Sequence, residues 1–303
     1  MKDMMNKFGF GQQMKMLRNV CAVLLTVSAS AYAATAVDIY QDMAGGHDGD
    51  LLTSAIINMS AHPGTFSWGV KNGPWFVSSK YARSLPGSVT VGGVTYTGAG
   101  TNSWMLSNSN AMNYINVYLG KGGPYTAITV AFYYTTERKA WPRNYHIYDT
   151  ISVLGRAHTF GCMQTINQGG TNGVYGKGPY LRAHSKDKTA HSTFSSTVIP
   201  IVAGKTYWVN LNYNAAGAGA VSLAAFDPDK GFAQVGSTAV AESCPDTVGW
   251  NVMIGRADND GNEPEDAEHS WVSQIMVDFT HAAFPLVPST DTNAAPSGAK
   301  EVK

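Results

Sequence analysis

Residues 206–214 read TYWVNLNYN. Tyr207, Val209, Leu211 and Tyr213 alternate with Trp208, Asn210, Asn212 and Asn214. A helix would scatter both sets around its circumference, whereas a strand separates them, because successive side chains point to opposite faces. The stretch therefore predicts a strand with one buried face and one wetter face.

The same period recurs outward along the chain. YTAITVAFYYT (125–135) puts Ile128, Val130, Phe132 and Tyr134 on one side, and WVSQIMVDFT (271–280) does so with Ile275, Val277 and Phe279. In SVTVGGVTYTG (88–98), Gly92-Gly93 supplies the two left-handed positions of a tight hairpin turn. FSWGV (66–70), PWFVS (74–78), MNYINVYLG (112–120), YDTISVLG (148–155), FGCMQTI (160–166), AVSLAAFD (220–227) and WNVMIGR (250–256) are further strand-like runs. KGGP (121–124) and QGGTNGVYGKGP (168–179) punctuate them as turn and loop. About 12–14 strands, and no helix beyond one turn, are expected. Abundant Gly, Ser, Thr, Asn and aromatics, with little Glu, Lys or Leu, point the same way. The expected architecture is all-β, a two-sheet antiparallel jelly-roll sandwich over residues 34–284.

The ends read differently. Lys2, Lys7, Lys15 and Arg18 precede a short apolar core, Val20 to Ser28, and Ala31-Tyr32-Ala33 offers small residues for cleavage. This is the pattern of a secretory signal peptide, residues 1–33, too short to span a bilayer. Cys21 lies inside the apolar core, which argues against a lipoprotein. The mature protein is expected to be secreted (extracellular, periplasmic or cell-surface), with no transmembrane segment. Its Pro/Ser/Ala/Thr-rich end, residues 285–303, is expected to be a disordered tail.

Removing residues 1–33 takes away four basic side chains and Asp3, leaving 17 Lys+Arg against 20 Asp+Glu. That balance does not suggest nucleic acid or an anionic membrane as partner, since both need a basic patch. Two cysteines remain, Cys162 and Cys244; in an oxidising compartment they are expected to pair. Neither has a second Cys or His at ligand spacing, so they do not suggest a metal site. GAGA (217–220) precedes a strand and no helix, so it is a turn, and no organic cofactor is implied.

From 206 to 280 the chain resembles the concanavalin A-like lectin/glucanase superfamily, laminin-G-like in particular. A Trp-bearing strand leads through a loop to a strand ending in a turn. A strand closing on Ile254-Gly255-Arg256 follows, and the last apolar strand carries Asp278. The resemblance implies a jelly roll of two curved sheets, glycan binding or polysaccharide degradation, and a calcium ion at the rim.

Against that background, DNDGNEPEDAEHSW (258–271) has three readings. Asp258, Asp260 and Glu263, beside Gly261, supply hard oxygen ligands for a structural calcium, and Asp48 and Asp50 of a second acidic cluster could join them. Glu263, Glu265 and Glu268 approximate the E-x-D-x-x-E of the superfamily's glucanases, as E-x-E-x-x-E; a retaining glycosidase needs two such carboxyls ~5 Å apart. Pro264 and Asp266 speak against a buried strand there. The third reading is a solvated acidic loop.

Glycan binding needs aromatic faces and planar amides. Trp208, Asn210 and Asn212 offer both on one strand face, and Trp141, Arg143, Tyr145 and His146 offer them in a loop-like segment. A lyase needs Tyr or His with a neutralising Arg, Asn or Gln. Gln164, Asn167, Tyr175, Lys177, Tyr180, Arg182 and His184 supply those types, as alginate-lyase-like jelly rolls do, but in a different order and spacing. The expected function is a non-catalytic module for a polysaccharide or cell-surface glycan. A glycoside hydrolase or polysaccharide lyase on the same scaffold, or a structural or adhesive surface protein, are the alternatives.

Overall fold

The chain divides into two compact units, residues 1–33 and 34–303. The computed structural model describes residues 34–64, 67–71, 75–98, 100–106, 113–119, 127–137, 150–155, 160–166, 179–186, 192–214, 221–240, 249–256, 269–281 and 283–288. All belong to the second unit, and the expected signal peptide lies outside them.

Among the described residues twenty strands form. In chain order they are β1 (Thr35–Val37), β2 (Ile39–Gln41), β3 (Ala61–His62), β4 (Ser67–Lys71), β5 (Trp75–Ser78), β6 (Ser88–Val91) and β7 (Val94–Thr97). Then come β8 (Ser103–Leu106), β9 (Asn113–Tyr118), β10 (Ala127–Thr136), β11 (Thr150–Gly155), β12 (Phe160–Ile166), β13 (Tyr180–Lys186) and β14 (Ser192–Phe194). The series closes with β15 (Ile199–Pro200), β16 (Thr206–Asn214), β17 (Val221–Asp227), β18 (Ala233–Ala239), β19 (Gly249–Arg256) and β20 (Ser270–Asp278). One six-residue helix, α1 (Ser54–Met59), exceeds the single turn expected; Thr53 caps it by accepting from Ile56 N at 3.3 Å. It is too short to show a periodic signal.

Two large antiparallel sheets result. The nine-stranded sheet runs β18-β17-β16-β10-β20-β2-β3, with β8 and β5 continuing from β20. The eight-stranded sheet runs β14-β13-β12-β11-β19-β9-β4, with β15 beside β13. Their facing sides carry the alternating apolar residues. Val130, Phe132, Val209, Leu211, Ile275 and Val277 meet Ile115, Val117, Leu181, Ala183, Val252 and Ile254 in one buried cluster. Each large side chain removed from water there contributes ~1.5–3 kcal/mol, which fixes the strand faces.

One strand breaks the alternation. Ala131 pairs with Met276 but Tyr133 pairs with Ser273, so β20 carries an extra residue opposite β10. Gln274 absorbs it with φ 52°, fully buried. Val272 and Ile275, three apart, consequently both face the core.

A third layer covers the far side of the nine-stranded sheet. It consists of β1, β6 and β7, the last two joined through Gly92 (φ 56°) and Gly93 (φ 82°), and of the segment after β20. Val37, Val89, Val91, Leu85, Phe232 and Leu286 pack there on Tyr40, Tyr133, Trp208, Phe226 and Met276. Two expectations are corrected by this layer. The side of β16 bearing Trp208, Asn210 and Asn212 is not a wet surface, because the layer buries all three at 0%, 0% and 7% exposure. Nor does the fold end at residue 284: Leu286 is buried and Val287 packs on the same cluster. Residues 289–303 lie outside the described residues.

Candidate functional site

With one outer sheet face sealed, the outer face of the eight-stranded sheet is the other broad strand surface. Leu181 and Ala183 of β13 point into the core, so Tyr180, Arg182 and His184 occupy the outer face. One register row crosses the sheet through Phe194, His184, Cys162, Ser152, Met253 and Asn116. Residues directly opposite in antiparallel strands share a face. His184 and Asn116 therefore sit on one surface, four strand spacings or about 19 Å apart.

The geometry is densest at the β14 edge. The His184 ring stacks on Phe194 at 4.3 Å with 17° between planes, and the Arg182 guanidinium carbon lies 3.7 Å from the same ring centroid. Arg182 and His184 are buried, whereas Phe194 is 39% exposed. Gln164 is the register partner of Arg182. At the other end of the row, the side-chain oxygen of Asn116 is buried with no hydrogen-bond partner among the described residues. Along one sheet face stand a planar cation and an imidazole, both buried, the part-exposed Phe194 ring and the Asn116 amide.

Of the site residues expected from sequence, Tyr180, Arg182 and His184 come together on this face, and the backbone of Gln164 pairs with that of Arg182. Trp208, Asn210 and Asn212 are held elsewhere. The Trp208 indole donates to Leu286 O at 2.6 Å, Asn210 Oδ1 accepts from Leu286 N at 2.7 Å, and Asn212 donates to Thr129 Oγ1 at 2.8 Å. Trp141, Arg143, Tyr145, His146, Asn167, Tyr175, Lys177, Asp258, Asp260, Glu263, Glu265, Glu268 and Cys244 lie outside the described residues. Cys162 stands on β12 opposite His184 and Ser152.

The calcium expectation meets the described residues at two places. Asp48 accepts from Ser79 N at 2.6 Å and Asp50 from His47 N at 2.8 Å, so each carboxylate already accepts from a backbone N–H. The second place is Asp38, Asp278 and His281, whose possible ligand atoms lie within 4.8 Å of one another. Its two carboxylates accept from Phe279 N, Thr280 N, Thr280 Oγ1, His281 N, His281 Nδ1 and Ala283 N. Calcium takes six to eight oxygen ligands. Oxygens already committed to protein donors, with an imidazole as third member, do not fit that shell.

Sequence reasoning missed Phe194, Asn116 and the Asp38–Asp278–His281 group. Phe194 is the one aromatic in a three-residue strand, too short for a period. Asp38 and Asp278 stand at opposite ends of the chain, and only the pairing of β2 with β20 brings them together.

No family model and no curated protein sequence matches the chain. Among solved structures, similarity reaches the binding domain of botulinum neurotoxin serotype D, at 13% identity over 69% of this chain and 46% of that one, with TM-score 0.38. An endo-β-1,4-glucuronan lyase from the fungus Trichoderma reesei is 16% identical over 70% of this chain and 92% of its own, with TM-score 0.39. A heptameric SAP-like pentraxin from Limulus polyphemus is 13% identical over 56% of this chain and 77% of its own, with TM-score 0.30. The match spans less than half the length of the toxin binding domain.

Proposed function

We propose that the protein is an exported module that binds a polysaccharide or cell-surface glycan on the outer face of the eight-stranded sheet, without turning it over. One observation carries the reading. Of the two outer sheet faces, one is sealed by the third layer, and the other bears Arg182, His184 and the exposed Phe194 at one edge. Phe194 lies over the buried Arg182 and His184 and offers an aromatic surface to sugar C–H groups.

A glycan array probed with wild type and Phe194→Ala tests the reading. The ring is part-exposed, so its loss leaves the fold standing and should weaken binding; equal binding by both proteins rejects this site.

A second reading is favoured by Arg182 standing beside His184 and Tyr180 on β13. Arg suits a substrate carboxylate, and His or Tyr can take a proton beside it, which is the outline of a polysaccharide lyase. Incubation with uronate polymers decides between the two. Unsaturated, ultraviolet-absorbing chain ends would establish the lyase; retained binding without them supports the module.

A further inference from the structure

A second cluster lies at one rim of the nine-stranded sheet, on the other sheet from Arg182 and His184. Glu137 follows β10, and its N–H donates to His269 O at 3.0 Å, which ties the carboxylate to the start of β20. The Tyr81 hydroxyl donates to Glu137 Oε1 at 2.7 Å. Lys80 Nζ donates to the same oxygen and stands 5.2 Å from the Tyr81 ring centroid and 5.0 Å from that of Trp271. The two rings meet edge to face at 4.8 Å. An ammonium group thus sits against two aromatic rings and one carboxylate, the composition of an aromatic cage for alkylammonium ions.

The walls are fixed and the occupant is not. Tyr81 has φ 58°, a costly conformation for a residue with a bulky side chain. Trp271 is 3% exposed, and its indole N–H has no hydrogen-bond partner among the described residues. The Lys80 side chain, by contrast, is 54% exposed on a flexible stem. A plain surface ion pair needs neither a strained tyrosine nor a buried indole donor. Choline and 2-amino sugars carry an alkylammonium group of the kind such rings hold.

We propose that Tyr81, Trp271 and Glu137 form a binding site for an alkylammonium group, and that Lys80 is its internal, displaceable occupant. The ligand is a primary or quaternary ammonium. Lys80 sets the threshold: an outside cation binds by displacing one already present, so wild type binds weakly and a protein lacking Lys80 binds well.

The test titrates the full chain with choline, glucosamine and neutral N-acetylglucosamine, reading heat and tryptophan emission. Lys80→Ala should bind at least one of the two cations about tenfold more tightly than wild type, and adding Glu137→Gln should reverse most of that gain. Preference for choline assigns a quaternary headgroup, and preference for glucosamine assigns an amino sugar. Lys80→Met, which keeps the apolar stem, replaces Lys80→Ala if the latter does not fold. Failure of both cations to bind a folded Lys80 variant overturns the proposal, and so does equal binding of N-acetylglucosamine.

Discussion

The indole N–H of Trp208 donates to the carbonyl oxygen of Leu286, 78 residues further along the chain, at 2.6 Å. Asn210 Oδ1 accepts from the N–H of the same leucine, whose side chain is 3% exposed. One residue of the C-terminal segment is thus held by both backbone groups and by apolar contact, on the strand face that period-two reading assigns to solvent. Leu286→Ala removes the apolar part and leaves a cavity beside Trp208, at an expected cost of about 2–4 kcal/mol. Trp208→Ala also leaves the Leu286 carbonyl without its donor and should cost about 3–5 kcal/mol. Denaturant unfolding measures both. A Trp208→Ala protein of unchanged stability would contradict the packing role.

The other anchor of that segment should open in acid. Burial of Asp278 opposes its ionisation, but hydrogen bonds from Ala283 N and His281 outweigh burial and hold its carboxyl below the ordinary range. A depressed carboxyl contributes stability above its unfolded value, near pH 4, and that stability is lost as pH falls further. Amide exchange at residues 279–286 should therefore accelerate below about pH 4, ahead of the sandwich core. Asp278→Asn should flatten this dependence. Acid exchange that rises uniformly across segment and core would refute a separate latch.

The hairpin between β6 and β7 gives a prediction free of packing. Gly92 and Gly93 have φ 56° and 82°, and a Cβ built on either meets nothing within 4 Å. Only backbone preference decides the outcome there. Gly92→Asn tolerates the left-handed region and restricts the unfolded chain, so it should be neutral or stabilising by up to about 1 kcal/mol. Gly92→Val should destabilise, since a β-branched residue resists that conformation. Thermal melts that rank Val at or above Asn would overturn the argument.

How much was legible in the sequence follows from where burial leaves a periodic trace. Val130, Phe132, Val209 and Leu211 lie on long central strands with one side in the core, so alternation placed their faces correctly. Alternation says which residues share a face but not what covers it. Trp208 and Asn210 looked solvent-facing because Leu286, 78 and 76 positions away, leaves no mark near them. The Arg182–His184–Phe194 arrangement was half visible: the residue types were noted, but stacking on Phe194 depends on the register of β13 with β14. The extra residue at Gln274 was also hidden, because a bulge shifts parity without a composition signal.

That bulge makes the sharpest stability prediction. Gln274 is fully buried at φ 52°, its side-chain nitrogen donates to Asp42 O at 2.8 Å, and its side-chain oxygen accepts from Tyr40. Tyr40 is buried, and its hydroxyl is pushed well above the usual tyrosine range, first by burial and then by nearby Asp42, so it stays a donor. Gly100 lies against this network: a Cβ there would come within 1.7 Å of the Gln274 nitrogen and 2.1 Å of the Asp42 carbonyl oxygen. The first contact could be relieved by moving a side chain, but that breaks a buried hydrogen bond; the second requires backbone to shift. Gly100→Ala should therefore cost about 3 kcal/mol or more, as overpacking plus an unmet buried amide. Gly49→Ala is the control for left-handed strain alone, since its Cβ meets nothing within 4 Å at φ 89°, and should cost about 1 kcal/mol. Equal melting temperatures for the two variants would mean that the Gly100–Gln274 contact does not constrain the fold.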